Sequence, residues 1–288
     1  MPQETLVVQL APEAQARLEQ ELAGGEFEPR SVEHARFSVK GQGVIATLYR
    51  SGKLVVQGSE VGLFAERYLG GRPAPPPGPI EVGTRPLVGS DEAGKGDYLG
   101  PLVVAAVRAD ARERAELVSA GVADSKTLSD ERIRVLAPAL EQRYACALEV
   151  LAPEDYNREH ARAGSLNPLL AELHARCIRR LARPGDLVLV DQFARESLVA
   201  DALAGVAVEL FQRTKAEREP VVAAASVVAR AHFLDGLAAL SEQYVVDLKK
   251  GAGDPTDASA REFVRLHGRE RLGCVAKLHF KNTHKLRV

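Results

Sequence analysis

The sequence predicts a mixed α/β protein in two parts: a small α+β module, then a larger domain built on a mixed sheet with flanking helices. Three observations predict it. The stretch Gly70-Gly71-Arg72-Pro73-Ala74-Pro75-Pro76-Pro77-Gly78-Pro79 separates the parts, because proline removes donors and favours extended backbone. Before it, short apolar runs are punctuated by glycine turns; after it, strand-length apolar runs alternate with longer helical patterns. The boundaries expected are a module at 1–70, a linker at 71–84 and a domain at 85–288.

In the module, Thr5 to Leu10 suits a strand. Pro12 to Leu22 suits a helix, with proline in its first turn and Gly24-Gly25 ending it. Val32 to Lys40, Val44 to Arg50 and Leu54 to Gln57 read as strands, joined by turns at Gly41-Gln42-Gly43 and Ser51-Gly52. Val61 to Leu69 closes as a short helix. An antiparallel sheet with helices on one face follows. In the domain, strands are expected at Leu87 to Ser90, Leu102 to Val107, Tyr144 to Val150, Leu187 to Val190 and Val206 to Phe211. Ser129 to Leu140 is a helix capped by Ser129. Leu166 to Leu181 and Pro220 to Leu240 are two more.

At 288 residues, 45% hydrophobic and 27% charged, the chain has the composition of a globular protein with a sizeable core. No apolar run of membrane-spanning length is expected, and the start lacks the pattern of a secretory signal. The three cysteines (Cys146, Cys177, Cys274) are widely spaced, with no CxxC pair. That argues against a zinc site or disulfide framework and suits a reduced, cytoplasmic setting. Net charge is −1, but from Arg261 onward eight Lys or Arg stand against two Glu, an excess of six, with His267, His279 and His284 among them. Such a segment is either a grip for a nucleic-acid backbone or a solvated basic tail.

The segment Gly89-Ser90-Asp91-Glu92-Ala93-Gly94-Lys95-Gly96 places two acids where a strand meets a glycine-rich turn. Adjacent carboxylates at a buried strand end need a cationic partner, and a divalent metal is the usual one for an oxygen-only set. A tight turn with solvated acids is the alternative. Leu187 to Val190 runs straight into Asp191, which is either a ligand at a strand end or a helix cap. Glu217 precedes a helix of small residues that suits close packing on a sheet; alone it also reads as a surface acid. Asp91, Glu92, Asp191 and Glu217 are enough to hold two Mg²⁺ ions roughly 4 Å apart for phosphodiester hydrolysis, with no nucleophilic Ser or Cys.

On these residues the chain resembles the type 2 ribonuclease H group. Asp91-Glu92-Ala93-Gly94-Lys95-Gly96 resembles its Asp-Glu-x-Gly-x-Gly signature, and Asp124-Ser125-Lys126 its Asp-Ser-Lys element. Asp191 stands at the strand-end aspartate, and Glu217 at the acid before Ala224-Ala225-Ser226-Val227-Val228-Ala229-Arg230. The order is the group's, across about 200 residues. Within it, the likeness is to bacterial ribonuclease HIII. The 1–70 module resembles the TATA-binding-protein-like extension of that family, and Lys249 to Gly253 and Lys277 to Lys285 resemble its Lys-Gly-Ala and His-Phe-x-Asn-Thr-x-Lys segments.

The resemblance implies a ribonuclease H-like fold and a Mg²⁺- or Mn²⁺-dependent endoribonuclease. It would cut the RNA strand of RNA/DNA hybrids, leaving 5′-phosphate and 3′-hydroxyl ends. It implies Asp91, Glu92, Asp191 and Glu217 as catalytic metal ligands, and Gly94, Lys95, Gly96, Ser125 and Lys126 as substrate contacts. Lys126 also reads as an exposed surface lysine. A monomer without an obligate protein partner is expected. Two departures stand out: Lys95 replaces the Thr common in HIII or the Arg common in HII, and Glu217 replaces an Asp. A ribonuclease HII-like nuclease that incises at single ribonucleotides is the rival; Lys95 favours it, and Ala252, where HII has tyrosine, opposes it. A hybrid-binding protein without catalysis is the other rival. Asp235 is an alternative fourth acid. Asn157, Asn167 and His174 match HIII positions without an evident role.

Overall fold

The computed structural model describes residues 4–23, 27–70, 82–122, 128–193, 196–213 and 215–286. The chain divides into two units, Met1–Glu81 and Val82–Val288. Most of the expected linker, 71–81, falls outside the described residues, and its last part belongs to the second unit, where Val82 is buried.

The first unit runs β1 (Glu4–Gln9), α1 (Pro12–Ala23), β2 (Glu28–Pro29), β3 (Ala35–Gly41), β4 (Val44–Tyr49), β5 (Lys53–Gly58), α2 (Val61–Tyr68). Its sheet is antiparallel, in the order β1-β5-β4-β3-β2. Gln42 and Gly43 both take positive φ between the paired Gly41 and Val44, the two-residue turn that suits strand twist. β3 starts three residues later than expected, because His34 takes φ +62 and turns the chain before Ala35. Period-2 alternation sends Val44, Ala46, Leu48, Leu54 and Val56 to one face, where Leu18, Leu22, Val61 and Phe64 of the helices cover them. The other face carries Thr5, Val7, Ile45, Tyr49, Lys40, Lys53 and Gln57, all exposed or half-buried.

The second unit begins with β6 (Leu87–Ala93) and β7 (Leu102–Ala109), then α3 (Ala111–Ser119), α4 (Asp130–Arg143), β8 (Ala145–Leu151), α5 (Pro153–Ala163) and α6 (Leu166–Leu181). It continues with β9 (Leu187–Asp191), α7 (Glu196–Ala202), β10 (Glu209–Arg213), α8 (Pro220–Tyr244), α9 (Asp254–His267) and α10 (Asn282–Lys285). The sheet order is β10-β9-β6-β7-β8, with β10, β9 and β6 parallel and the rest antiparallel. Helix α6 packs on one face and α8 on the other.

The sequence reading missed α3, α5, α7, α9 and the short α10, although α3 and α5 carried clear signals. An Asp110–Glu113 capping box starts α3. Pro153 starts α5, and Gly164 ends it at φ +74. The last strand is Glu209–Arg213 rather than Val206 to Phe211, because Val206 and Val208 are still turning after α7. One further expectation is corrected. Helix α8 has 25 residues and is long and apolar enough to cross a membrane, yet 72% of its most apolar 18-residue stretch is buried inside the unit. It is a core helix. Its small residues do what small residues permit: a Cβ at Gly89 of β6 would lie 2.6 Å from Val222 N.

Candidate active site

β6 extends past Ser90 to Ala93, paired with β7 throughout, so both acids lie inside the strand. Alternation then separates them. Asp91 points to the α8 side, where Ser226 hydrogen-bonds its carboxylate. Glu92 points to the α6 side, where His174 Nε2 lies 3.1 Å from Oε2. Asp191 follows Val190, which pairs with Ser90, so it shares the α8 side with Asp91. The adjacent pair in sequence is split, and two acids 100 residues apart stand together.

The electrostatics follow from this placement. Burial pushes the Asp91 carboxyl up to about 7, and the charges of Glu92 and Asp191 push the same way. Burial also pushes Glu92 upward, but the hydrogen bond and charge of His174, with Lys95, outweigh it and hold Glu92 at about 2. Lys95 Nζ lies 2.5 Å from Glu92 Oε1 and stands over the Phe193 ring. His174 is fully buried, stacked on Phe193, with Nδ1 2.7 Å from Ser90 Oγ. Ser90 Oγ in turn donates to Ala105 O at 2.8 Å. His174 therefore has a clear structural role, which sequence alone did not reveal.

Asp191 Oδ1 accepts the Ala216 N–H at 3.0 Å. That bond ties it to the first residue of the short 3-10 turn Ala216–Arg218. Lys215 at φ +62 sets that turn, which packs against β9 and brings half-buried Glu217 next to the strand end. Asp235 lies far along α8, exposed and paired with Arg134.

The turn after β6 separates its two glycines by role. Gly94 has φ +86, and a Cβ there would meet Pro101 O at 2.2 Å and the Phe233 ring. The fold demands this glycine. Gly96 has nothing within 4 Å of the same position. Its backbone is open to an incoming partner. Asp97 carboxylate accepts the Gly251 N–H, and Tyr98 N–H donates to Gly251 O, which joins this turn to the Ala252 loop. Ser125 and Lys126 lie outside the described residues.

The basic C-terminal segment is used internally more than expected. Lys285 pairs with Asp257, Arg265 with Glu262, and Arg269 donates to Leu286 O. His267 bonds Tyr244 O. His279 stacks on His160, and burial first, then the charges of His160 and Lys277, push it down to about 4. Asn157 bonds Gly273 O, Ala276 O and Leu278 N, clamping that segment to α5. Asn167 is exposed at the start of α6.

The acids fit a divalent cation by chemistry. They are oxygen donors, and the like charges that raise Asp91 are what a cation relieves. Among the described residues, however, no group of three or more His, Cys, Asp or Glu already closes as a metal cage. Glu92 is drawn aside by Lys95 and His174.

A mixed five-stranded sheet with strand-end acids and a glycine turn defines a type 2 ribonuclease H, and the family model for ribonuclease HII matches residues 88–283. Residues 5–76 match a domain of unknown function, DUF3378. A ribonuclease HIII of Protochlamydia amoebophila is 41% identical over 86% of this chain and 85% of its own length. One of Bacillus licheniformis is 36% identical over 91% of each. The crystal structure of Bst-RNase HIII in complex with Mn²⁺ aligns with a TM-score of 0.66 at 33% identity, covering 98% of both chains. The chain belongs to the ribonuclease HIII family, divalent-metal-dependent endoribonucleases that act on RNA/DNA hybrids.

Proposed function

We propose that the chain hydrolyses the RNA strand of RNA/DNA hybrids with two Mg²⁺ or Mn²⁺ ions held by Asp91, Glu92, Asp191 and Glu217. The observation that carries this is the meeting of Asp91 and Asp191 on the α8 side of the sheet, where burial and like charge leave Asp91 short of a cation. When bound, divalent ions supply charge stabilisation at the phosphate and activate water. The chain's own part is positioning. β6 and β9 fix the two aspartates, Ser226 orients Asp91, His174 holds Glu92, and the bond from Ala216 N–H to Asp191 holds the turn of Glu217. Cleavage leaves 5′-phosphate and 3′-hydroxyl ends.

The open backbone at Gly96 is suited to the minor groove, where the 2′-hydroxyl separates RNA from DNA. The polar face of the first sheet, with Lys40, Lys53 and Tyr49, suits the duplex backbone. We assign the first unit to hybrid affinity and the second to catalysis, in a cytoplasmic monomer. Two labelled duplexes test the reading, each with Mg²⁺, Mn²⁺ or EDTA. Metal-dependent cutting of continuous RNA on DNA, with little cutting at a single embedded ribonucleotide, is expected. Preference for the single ribonucleotide would replace this reading by the HII-like one, and binding without cutting by a non-catalytic one.

A further inference from the structure

Lys277 is fully buried. Its ammonium donates to Asp97 O at 2.9 Å and Gly100 O at 2.7 Å and stands over the Tyr156 ring. The Asp97 carboxylate acts on it only through space, since it is engaged with the Gly251 N–H. Burial pushes the ammonium down to about 7. A buried cation without a salt bridge is costly, and methionine would fill similar space without that cost. What the lysine adds is two strong hydrogen bonds at one place.

That place is the return limb of the glycine turn. The same limb exchanges backbone bonds with the C-terminal segment, Lys277 N–H to Tyr98 O and Gly100 N–H to Val275 O, both 2.9 Å. It also holds the Ala252 loop through Gly251. The metal-site acids do not depend on this brace, because Asp91 and Glu92 are fixed within β6 by their pairing with Ala105 and Val104 of β7. Loss of Lys277 therefore falls on the substrate-facing backbone and spares the chemistry.

We propose that Lys277 is a positioning residue for substrate recognition: its buried ammonium holds the Asp97–Gly100 backbone so that the Gly96 turn and the Ala252 loop meet the hybrid as one rigid unit. This rests on the reading that the Gly96 turn contacts the hybrid. The test uses the full chain, with hybrid Kd measured in EDTA and kcat measured with Mn²⁺ at saturating hybrid. For Lys277→Met, Kd is expected to weaken about tenfold with kcat within about twofold, since two hydrogen bonds from a charged donor are lost away from the reacting groups. Val199→Ala, a core truncation in α7, is the control that lowers stability while leaving Kd unchanged. A Lys277→Met protein whose Kd matches that of Val199→Ala overturns the positioning role, as does one that loses kcat but not Kd. If Lys277→Met does not fold, Asn157→Asp reads the brace from α5, because it keeps the bond from Leu278 N–H and loses the two donated bonds. Its Kd is expected to weaken about threefold, and a wild-type Kd would overturn the proposal. Wild-type protein that does not bind hybrid, or a Gly96→Ala protein with wild-type Kd, defeats the underlying reading instead.

Discussion

Each unit carries a five-stranded sheet, and the two sheets use their residues differently. The first is covered on one face by α1 and α2, with polar and half-buried side chains across the other. The second is covered on both faces, by α6 and α8. A sheet with an uncovered face offers area for contact without burying charge. A sheet covered twice leaves its strand ends for chemistry, and Asp91 and Glu92 there are desolvated. The difference teaches where the proposed function separates catalysis from affinity: acids at strand ends for turnover, the open face for binding.

The largest break in the comparison comes from Asp91→Asn. Loss of kcat by about a hundredfold to a thousandfold is expected, because charge stabilisation worth several kcal/mol depends on this ligand. The same change should raise the melting temperature of the metal-free protein. The sign follows from linkage. The Asp91 carboxyl, raised from 3.8 to about 7, keeps a proton in the folded state that the unfolded chain has released. Its contribution to stability therefore falls as pH rises from about 4 to about 7 and stays low above that. Melts with and without Mn²⁺ should show a larger gain from metal at pH 8 than at pH 5. Equal gains would contradict the burial of a proton-bearing Asp91.

His174→Ala comes next. It leaves Glu92 buried with Lys95 as its remaining described partner, and outer partners of this kind are worth about 10–100-fold in metal affinity. A metal titration that gives wild-type affinity would reduce His174 to packing. On the other sheet, Lys40→Glu with Lys53→Glu should raise KM several-fold, roughly tenfold at low salt, with kcat unchanged, since two cations on the face proposed to meet the duplex are reversed. A fall in kcat with constant KM would place the open face in catalysis. The smallest effects separate the two glycines. Gly94→Ala should lower the melting temperature, as a Cβ meets Pro101 O. Gly96→Ala should melt like wild type and weaken hybrid binding about threefold by obstructing close approach.

Much of this was legible in the sequence because the signals were local. Asp91 and Glu92 beside a glycine turn, Asp191 after an apolar run, and the small residues of α8 each carried their own pattern. What was not legible depended on register and distance. Alternation within β6 sends Asp91 and Glu92 to opposite faces, so adjacency in sequence misstates which acids meet. His174 and Asn157 had no local signal, because their partners lie 82 and 119 residues away. The basic C-terminal segment looked like a phosphate grip, yet Lys277 and Lys285 turn inward to partners only the fold supplies.

The central claim is that Asp91 and Asp191, brought to one face by two parallel strands, are the heart of a divalent-metal site. Mn²⁺ binding followed by electron paramagnetic resonance, in wild type, Asp91→Asn and Asp191→Asn, tests it most directly. The expected result is specific binding in wild type that is lost in both variants, while each stays folded. Unchanged Mn²⁺ binding in either variant would contradict the claim and move the metal elsewhere.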